Sequence, residues 1–203
     1  MKIIAFGAHP DDLEPQIGGS VAKFVHEGAK VTLVTCTLTS TGAQSSSTRQ
    51  EEGRRAAKIL GSEFIGMGIK EEELAFNRQL INQIDEIINV INPDIVFTVS
   101  GEDSHQDHQS VYQSVISASR KNSFSLVSLG QVLPGGIGKH KLNYFNDISD
   151  FIKTKQEAMM QYESQIKKYG DQWVEAVIAR DKSWGFNIGT KFAEAHFIEK
   201  WIT

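Results

Sequence analysis

Short apolar runs alternate with amphipathic stretches along this chain. Residues 3–6, 30–37 and 94–99 are rich in aliphatic and β-branched side chains, which is the pattern of buried strands. Between them, apolar residues recur at helical spacing, most regularly from Leu80 to Ile91, where Asn92-Pro93 ends the repeat. Because strand and helix alternate, the pattern predicts βαβ units and therefore a parallel sheet.

The other predicted elements rest on shorter patterns. Thr48 and Glu51 fit a capping box that opens a helix, and Ser149 or Asp150 is expected to cap a later one. Residues rich in Ser, Thr, Gly and Pro indicate loops at 39–47 and 134–138. We expect further strands at 64–67, 126–131 and 142–148, and helices at 15–28, 48–61, 111–116, 152–162 and 171–179.

Length and charge narrow the class of protein. A chain of 203 residues can bury most of its apolar surface in one core, so we expect a single domain over residues 1–203. The formal net charge of −4, without a Lys/Arg cluster, argues against a nucleic-acid partner. No apolar run approaches the ~20 residues of a membrane span, and no signal-peptide pattern opens the chain. We therefore expect no membrane insertion and a cytoplasmic location.

Two polar clusters follow predicted strands. The run His-Pro-Asp-Asp-Leu-Glu at 9–14 follows the first strand, and the segment 100–108, with His105, Asp107 and His108, follows the central one. Since the carboxyl ends of parallel strands share one edge of a sheet, both clusters are expected at that edge, where ligands bind. The alternative is that a carboxylate merely caps the following helix and that the histidines lie in a solvated loop.

The residue types of the two clusters suit a metal ion. Cys36 is the single cysteine and lies in an apolar run, so it is expected to be a buried strand residue, and any metal must be held by His and carboxylate. Catalytic zinc takes three protein ligands, and two His with one carboxylate is an established set. His9, Asp12 and His108 supply that set for zinc or another divalent ion.

The neighbouring residues suit acid–base chemistry. Asp11 adjoins a ligand and can act as the general base that takes a proton from water. His105, oriented by Asp107, can stabilise an oxyanion and protonate a leaving amine. Together these groups predict amide hydrolysis.

Four motifs occur in order over about the first 115 residues. They are Ala-His-Pro-Asp-Asp-Leu-Glu at 8–14 with the glycines at 18–19, Arg-x-x-Glu at 49–52, Pro-Asp-Ile-Val at 93–96 and His-Gln-Asp-His at 105–108. Together they resemble the LmbE-like, or PIG-L, zinc-dependent deacetylases. Weaker matches at 164–165 and 192–195 extend the resemblance towards the C-terminus.

The resemblance implies a Rossmann-like α/β fold, with a mostly parallel sheet flanked by helices. It also implies removal of an acyl group, most often acetyl, from a small N-acylated amino-sugar derivative. By the same resemblance, His9, Asp12 and His108 are the zinc ligands and Asp11 is the general base. His105 is a charged histidine that faces the oxyanion, and Asp107 is the partner of His105. Arg49 contacts the sugar or its phosphate.

Two positions depart from the family pattern. Gln106 stands where the family commonly has Pro, and Phe192 stands where it often has Tyr. If that tyrosine hydroxyl assists the oxyanion in relatives, His105 must act here without it. The resemblance leaves the individual substrate and the oligomeric state open, a homo-oligomer included.

Other readings of the same residues compete with hydrolysis. One is a non-catalytic protein that binds a sugar or sugar nucleotide through a metal, and another is a metal-independent α/β protein. Glu194 and His196 in the tail can face either the pocket or the core, and His140 is expected at the surface.

Overall fold

The computed structural model describes residues 1–38, 46–130 and 141–203. Strands and helices alternate over most of the chain, as the hydrophobic pattern predicts. The strands are β1 (Lys2–Gly7), β2 (Lys30–Thr37), β3 (Glu63–Ile69), β4 (Ile95–Thr98), β5 (Ser125–Ser128), β6 (Tyr144–Asp147) and β7 (Ala193–Lys200). The helices are α1 (Leu13–His26), α2 (Ser46–Leu60), α3 (Arg78–Ile91), α4 (Gln106–Ala118), α5 (Ile152–Met159), α6 (Glu163–Tyr169) and α7 (Gln172–Ile188).

The strands form one sheet in the order β3-β2-β1-β4-β5-β7-β6. The first five strands of that order pair in parallel, and β7 pairs antiparallel with both β5 and β6. The predicted mostly parallel sheet flanked by helices is therefore confirmed. The order reverses direction between β1 and β4, which is the position where open α/β sheets place their ligands.

Alternate residues of β1 face opposite cores. Ile3 and Ala5 pack with residues of α1, α2, α5 and α7, whereas Ile4 and Phe6 pack with residues of α3 and α4. A parallel strand in the middle of a sheet is covered on both faces, which is why its sequence is apolar without interruption. Both cores lie on one sheet, and the single domain over residues 1–203 stays a prediction.

Several element boundaries differ from those that the sequence predicts. Helix α2 begins at Ser46, so Thr48 lies inside the helix and not at its cap. Helix α5 has Phe151 at its N-cap position, without a side-chain hydrogen bond, and neither Ser149 nor Asp150 takes that role. The tail after Lys191 forms β7, which the sequence analysis did not identify as a strand, because its partner β6 precedes it by three helices.

Some predictions concern residues outside the described ranges. The predicted loop at 39–47 is described only at its last two residues, which belong to α2, and the loop at 134–138 and His140 are not among the described residues. Cys36 is buried in β2, as expected. Within the described ranges, no helix combines the length and the apolar character that a membrane span needs.

Candidate metal and acid–base site

The two predicted clusters meet at the switch point of the sheet. His9 and Asp12 lie between β1 and α1, and His108 lies in the first turn of α4. The sequence analysis placed His108 in a loop, but α4 begins at Gln106 and His105 occupies its N-cap position. The loops that follow two neighbouring parallel strands thus bring together side chains that are distant along the chain.

Three buried side chains offer ligand atoms within 4.8 Å of one another: His9, Asp12 and His108. Asp12 lies between the imidazoles, with Oδ1 3.2 Å from His108 Nε2 and Oδ2 3.6 Å from His9 Nδ1. The backbone amides of Ala8 and His9 donate to Asp12 Oδ2 at 2.8 and 2.7 Å. The turn after β1 therefore fixes the carboxylate by its own backbone.

In each imidazole, the ring nitrogen that does not face Asp12 is hydrogen-bonded to a further carboxylate. Asp107 Oδ2 lies 3.0 Å from His9 Nε2, and Asp103 Oδ2 lies 2.9 Å from His108 Nδ1. Such carboxylates fix the tautomer and the ring orientation of metal-ligating histidines. Here they leave His9 Nδ1 and His108 Nε2 directed towards Asp12.

The excess of carboxylates changes the protonation of both imidazoles. Burial disfavours their charged forms, but Asp107 and Asp12 raise the pKa of His9 to about 10, and Asp12 and Asp103 raise the pKa of His108 to about 10. Burial would raise the pKa of Asp12, yet His108 and His9 hold it well below its usual range. Protons on the imidazoles thus supply the positive charge that the cluster requires, and a bound metal ion would displace them.

Asp11 has an unusual backbone conformation, and its carboxylate bonds residues outside this group. Its φ of 91° lies in the left-handed region, which is rare for a residue other than glycine and is typical of strained functional turns. Arg49 donates to Asp11 Oδ1 at 2.7 Å, and the Gln165 amide, oriented as its neighbours favour, donates to Asp11 Oδ2 at 3.2 Å. Burial raises the pKa of Asp11, Arg49 lowers it and Asp12 raises it, for a value of about 6.

Arg49 is completely buried, with 0% of its side chain exposed. Besides Asp11, its guanidinium donates to the carbonyl of Pro10 and to the side chains of Glu52 and Ser164. The structure places Arg49 in contact with the candidate base and with the turn that carries it. The expected contact with the sugar or its phosphate stays a prediction.

His105 is the open member of the cluster, with 48% of its side chain exposed. Its Nδ1 accepts the backbone N–H of Asp107 at 3.2 Å, whereas the Asp107 carboxylate lies 3.9 Å away and bonds His9. Asp107 therefore orients His105 through its amide, and not through the expected carboxylate. Burial and the charges of His108 and His9 lower the pKa of His105, and its predicted role as a charged histidine stays a prediction.

Sequence reasoning missed Asp103 and the neighbours of Arg49 in α6. Asp103 was named only as part of a polar loop, and its contact with His108 depends on how that loop folds. Glu52 accepts hydrogen bonds from the backbone and the hydroxyl of Ser164 at 2.8 and 2.7 Å. The motifs at 49–52 and 164–165 were recognised in the sequence, but nothing there indicated that their residues pair.

Glu194 and His196 lie away from the candidate site, in the core. Glu194 accepts from the amides of Gly19 and Ser20 in α1 at 2.9 and 2.7 Å and from Lys155 Nζ at 2.7 Å. Lys155 also donates to Asp181 at 2.5 Å. We call the buried side chains of Lys155, Arg180, Asp181 and Glu194 the α1 network.

This network also contacts the backbone of α1. Arg180 donates to the carbonyl of Pro15, and Glu194 accepts from the amide of Gly19. A Cβ on Gly19 would lie 2.7 Å from Ile148, so only glycine allows this close approach.

The family that matches this chain and two of its relatives in sequence are named as deacetylases. Residues 4–119 match the family described as PIG-L: GlcNAc-PI de-N-acetylase. The Escherichia coli K12 protein named uncharacterized deacetylase YaiS is 36% identical over 126 residues, which cover 58% of this chain and 68% of that protein. Diacetylchitobiose deacetylase of Thermococcus kodakarensis is 28% identical over 194 residues, which cover 85% of this chain and 72% of that protein.

A likeness to a solved structure extends over nearly the whole chain. The N,N'-diacetylchitobiose deacetylase from Pyrococcus horikoshii superimposes with a TM-score of 0.86 and 21% identity, covering 98% of this chain and 84% of that one. At this level of identity the likeness shows the fold.

Proposed function

The chain belongs to the PIG-L family, and from this premise we propose that it is a zinc-dependent N-deacylase that removes an acetyl group from an amino-sugar derivative. Two relatives are named deacetylases, and one of them is named for diacetylchitobiose. The observation that carries the proposal is the convergence of His9, Asp12 and His108 beside a separate, partly buried carboxylate, Asp11.

The donor set fits zinc. Two imidazole nitrogens and one carboxylate make three protein ligands, which is the number that a catalytic zinc site takes. Each imidazole has its far nitrogen on a carboxylate, as ligating histidines usually have. When zinc is bound, it supplies a Lewis acid that polarises a carbonyl and brings the pKa of water to about 7.

Asp11 is the proposed general base. It is only partly buried, beside the ligand set but not part of it, and its pKa of about 6 leaves it ionised and basic near neutral pH. Its Oδ1 and Oδ2 are held by Arg49 and Gln165. We assign Arg49 to the positioning of Asp11, because its buried guanidinium also fixes the carbonyl of Pro10, the preceding residue.

His105 is the proposed hydrogen-bond donor to the oxyanion, and the proton that Asp11 takes from water is the one returned to the leaving amine. Since its Nδ1 accepts a backbone N–H, the proton of the neutral ring lies on Nε2. A neutral imidazole with a fixed tautomer can donate from Nε2 to a developing oxyanion without first gaining a charge. Its exposure allows contact with a substrate that enters from solvent.

The test is the substitution Asp11→Asn. We expect turnover of N-acetylated amino sugars to fall by about 10²- to 10⁴-fold, because the base is lost. Zinc affinity should stay within about threefold of wild type, because the ligand set is intact. Released primary amine and zinc content are measured on the same preparations, with a chelator-treated sample and exposed Asp150→Asn as controls.

The result also separates the competing reading. A protein that binds sugars through its metal without hydrolysing them would bind the same compounds and release no amine. Unchanged turnover in Asp11→Asn would remove Asp11 as the base. Absence of bound metal after zinc supplementation would contradict the metal site itself.

A further inference from the structure

Helix α2 carries a buried carboxylate, Glu52, beside the buried guanidinium of Arg49. Only 2% of the Glu52 side chain is exposed. Burying a carboxylate costs free energy unless hydrogen bonds and an opposite charge offset it. Glu52 lies outside the candidate ligand set, and it contacts Arg49 and the first turn of α6. Each of these two partners leads to Asp11, the proposed base.

Glu52 fixes the beginning of α6. Tyr162 occupies the N-cap position of this helix and makes no side-chain capping bond there. The first N–H groups of a helix have no partner within the helix, and a negative charge is favoured beside them. Glu52 Oε1 accepts the backbone N–H of Ser164 at 2.8 Å, and Oε2 accepts the Ser164 hydroxyl at 2.7 Å. A carboxylate of α2 therefore caps α6 and holds its first turn against α2.

The capped turn places Gln165 on Asp11. Gln165 follows Ser164 directly and is buried. In the orientation that its neighbours favour, the Gln165 amide nitrogen donates to Asp11 Oδ2 at 3.2 Å, and its oxygen accepts from Arg49 Nη1 at 2.8 Å. Because the reach of a glutamine side chain is fixed, Gln165 can bridge these two groups only while the first turn of α6 stays against α2.

Glu52 also restrains the guanidinium that holds the other oxygen of Asp11. Arg49 Nη1 lies 3.4 Å from Glu52 Oε2 and donates to the Ser164 hydroxyl at 3.1 Å, while Nη2 donates to Asp11 Oδ1 at 2.7 Å. The Tyr162 ring covers the guanidinium, with its centroid 5.4 Å from Cζ. Since the guanidinium is a rigid planar fork, contacts that fix Nη1 also fix the direction of Nη2.

We propose that Glu52 is a positioning residue for the general base. It acts on Oδ1 of Asp11 through Arg49, and on Oδ2 through the turn at 164–165. The inference rests on the proposed function and deepens it. A general base must lie within hydrogen-bond reach of the proton that it takes, and a small displacement of such a group lowers turnover. Glu52 therefore affects kcat and leaves the binding of substrate and zinc unchanged.

The first measurement is the turnover of N,N'-diacetylchitobiose by zinc-loaded Glu52→Gln. The amide keeps the size of the side chain but loses the charge that faces Arg49 and one acceptor for Ser164. We expect kcat to fall about tenfold, with KM and zinc content within about twofold of wild type. Glu51→Gln, its exposed neighbour in α2, is the matched control and should keep the wild-type kcat.

A milder variant tests the same contact without removing a buried charge. Ser164→Ala deletes one hydroxyl, keeps the backbone N–H that Glu52 accepts, and should lower kcat about threefold at unchanged KM. It decides the matter if Glu52→Gln does not fold. Unchanged kcat in the folded Glu52→Gln or in Ser164→Ala, or a loss confined to KM, would overturn the proposal.

The Asp11→Asn background separates positioning from a general loss of structure. If Glu52 acts through Asp11, adding Glu52→Gln to Asp11→Asn should lower the residual turnover by less than about twofold, because the two effects are coupled. A merely structural role would lower it by the same factor as in wild type. A further tenfold loss in the double variant would therefore contradict the positioning role.

Hydrogen exchange tests the contact with α6 independently of activity. If wild type releases no amine from the disaccharide, the proposed function fails, but the Ser164 amide still reports how Glu52 holds it. In Glu52→Gln a neutral acceptor replaces a charged one, so this amide should exchange at least about threefold faster, as followed by NMR on the full chain. The amides of β2 are the internal reference and should keep their wild-type rates. Unchanged exchange of the Ser164 amide would show that Glu52 does not fix α6 and would overturn the inference.

Discussion

Two buried clusters of charged side chains differ in how their charges are matched. In the α1 network, Lys155 and Arg180 contact Asp181 and Glu194, so cations and anions are equal in number. In the site cluster, made of His9, Asp11, Asp12, Asp103, Asp107 and His108, carboxylates predominate, and among the described residues Arg49 is the fixed cation in contact with them. One cluster is neutral by itself, and the other requires added positive charge.

The pKa values of the histidines in or beside the two clusters reflect this difference in charge. Neighbouring carboxylates raise the pKa of His9 and His108 to about 10 despite burial. His196, beside the α1 network, has its pKa lowered to about 3, first by burial and then by the charges of Lys155 and Arg180. A cluster that attracts protons also attracts a metal ion, whereas a neutral one serves the packing of the fold.

The largest expected effect is a loss of stability when a cation is removed from the α1 network. Lys155→Met leaves Asp181 and Glu194 buried without their cation, so the free energy of unfolding should fall by about 3–5 kcal/mol. Urea denaturation of the metal-free protein measures it. Lys153→Met, an exposed lysine of the same helix, should change stability by less than about 0.5 kcal/mol. A loss no larger than that of the control would show that the α1 network is not structural.

The next largest effect is on zinc affinity, through the carboxylates that bond the imidazoles of the candidate ligands. Asp103→Asn removes the acceptor charge from His108 Nδ1, so zinc affinity should fall by about 10- to 100-fold. The stability of the metal-free protein should change by less than about 1 kcal/mol, because the cluster already carries excess negative charge. Competition with a chromophoric chelator measures the affinity, with Glu102→Gln as the neighbouring control. Unaltered zinc affinity in Asp103→Asn would refute its role in orienting His108.

The smallest effect uses the pH dependence of stability. Because the pKa of His196 is about 3 in the folded protein and about 6.5 in the unfolded chain, the unfolded chain binds the proton first as the pH falls. Its contribution is complete above pH 6.5 and is lost progressively between pH 6.5 and 3. From pH 7 to 5, wild type should lose about 2 kcal/mol more than His196→Gln. Denaturation at both pH values tests this, with exposed His26→Gln expected to follow wild type.

The central part of the fold could be predicted from the sequence because its strands are covered on both faces. The runs at β1, β2 and β4 consist mostly of aliphatic and β-branched residues, and helix α3 repeats its apolar residues regularly before Asn92, which adopts the left-handed conformation at its C-cap. The strand β7 was missed because charged and polar residues, Glu194 and His196, alternate there with small ones. Their burial depends on Lys155 and Gly130, which lie elsewhere in the chain.

The candidate site was likewise predicted only in part from the sequence. The motifs identified His9, Asp11, Asp12, His105 and His108, and the rule that parallel strands share an edge predicted that they meet. The sequence could not reveal which partner each side chain has. Asp107 bonds His9 where a contact with His105 was expected, and Arg49 bonds Asp11 where a contact with substrate was expected.

Local periodicity was enough to predict the alternation of strands and helices and the edge of the sheet on which the polar loops lie, and residue chemistry gave the donor types available to a metal. Which carboxylates are matched by cations became apparent only in the folded protein, because Lys155 meets Glu194, and Asp12 meets His108, only after folding. Coulomb interactions depend on distance in space and on burial, and neither is encoded in the spacing of residues along the chain.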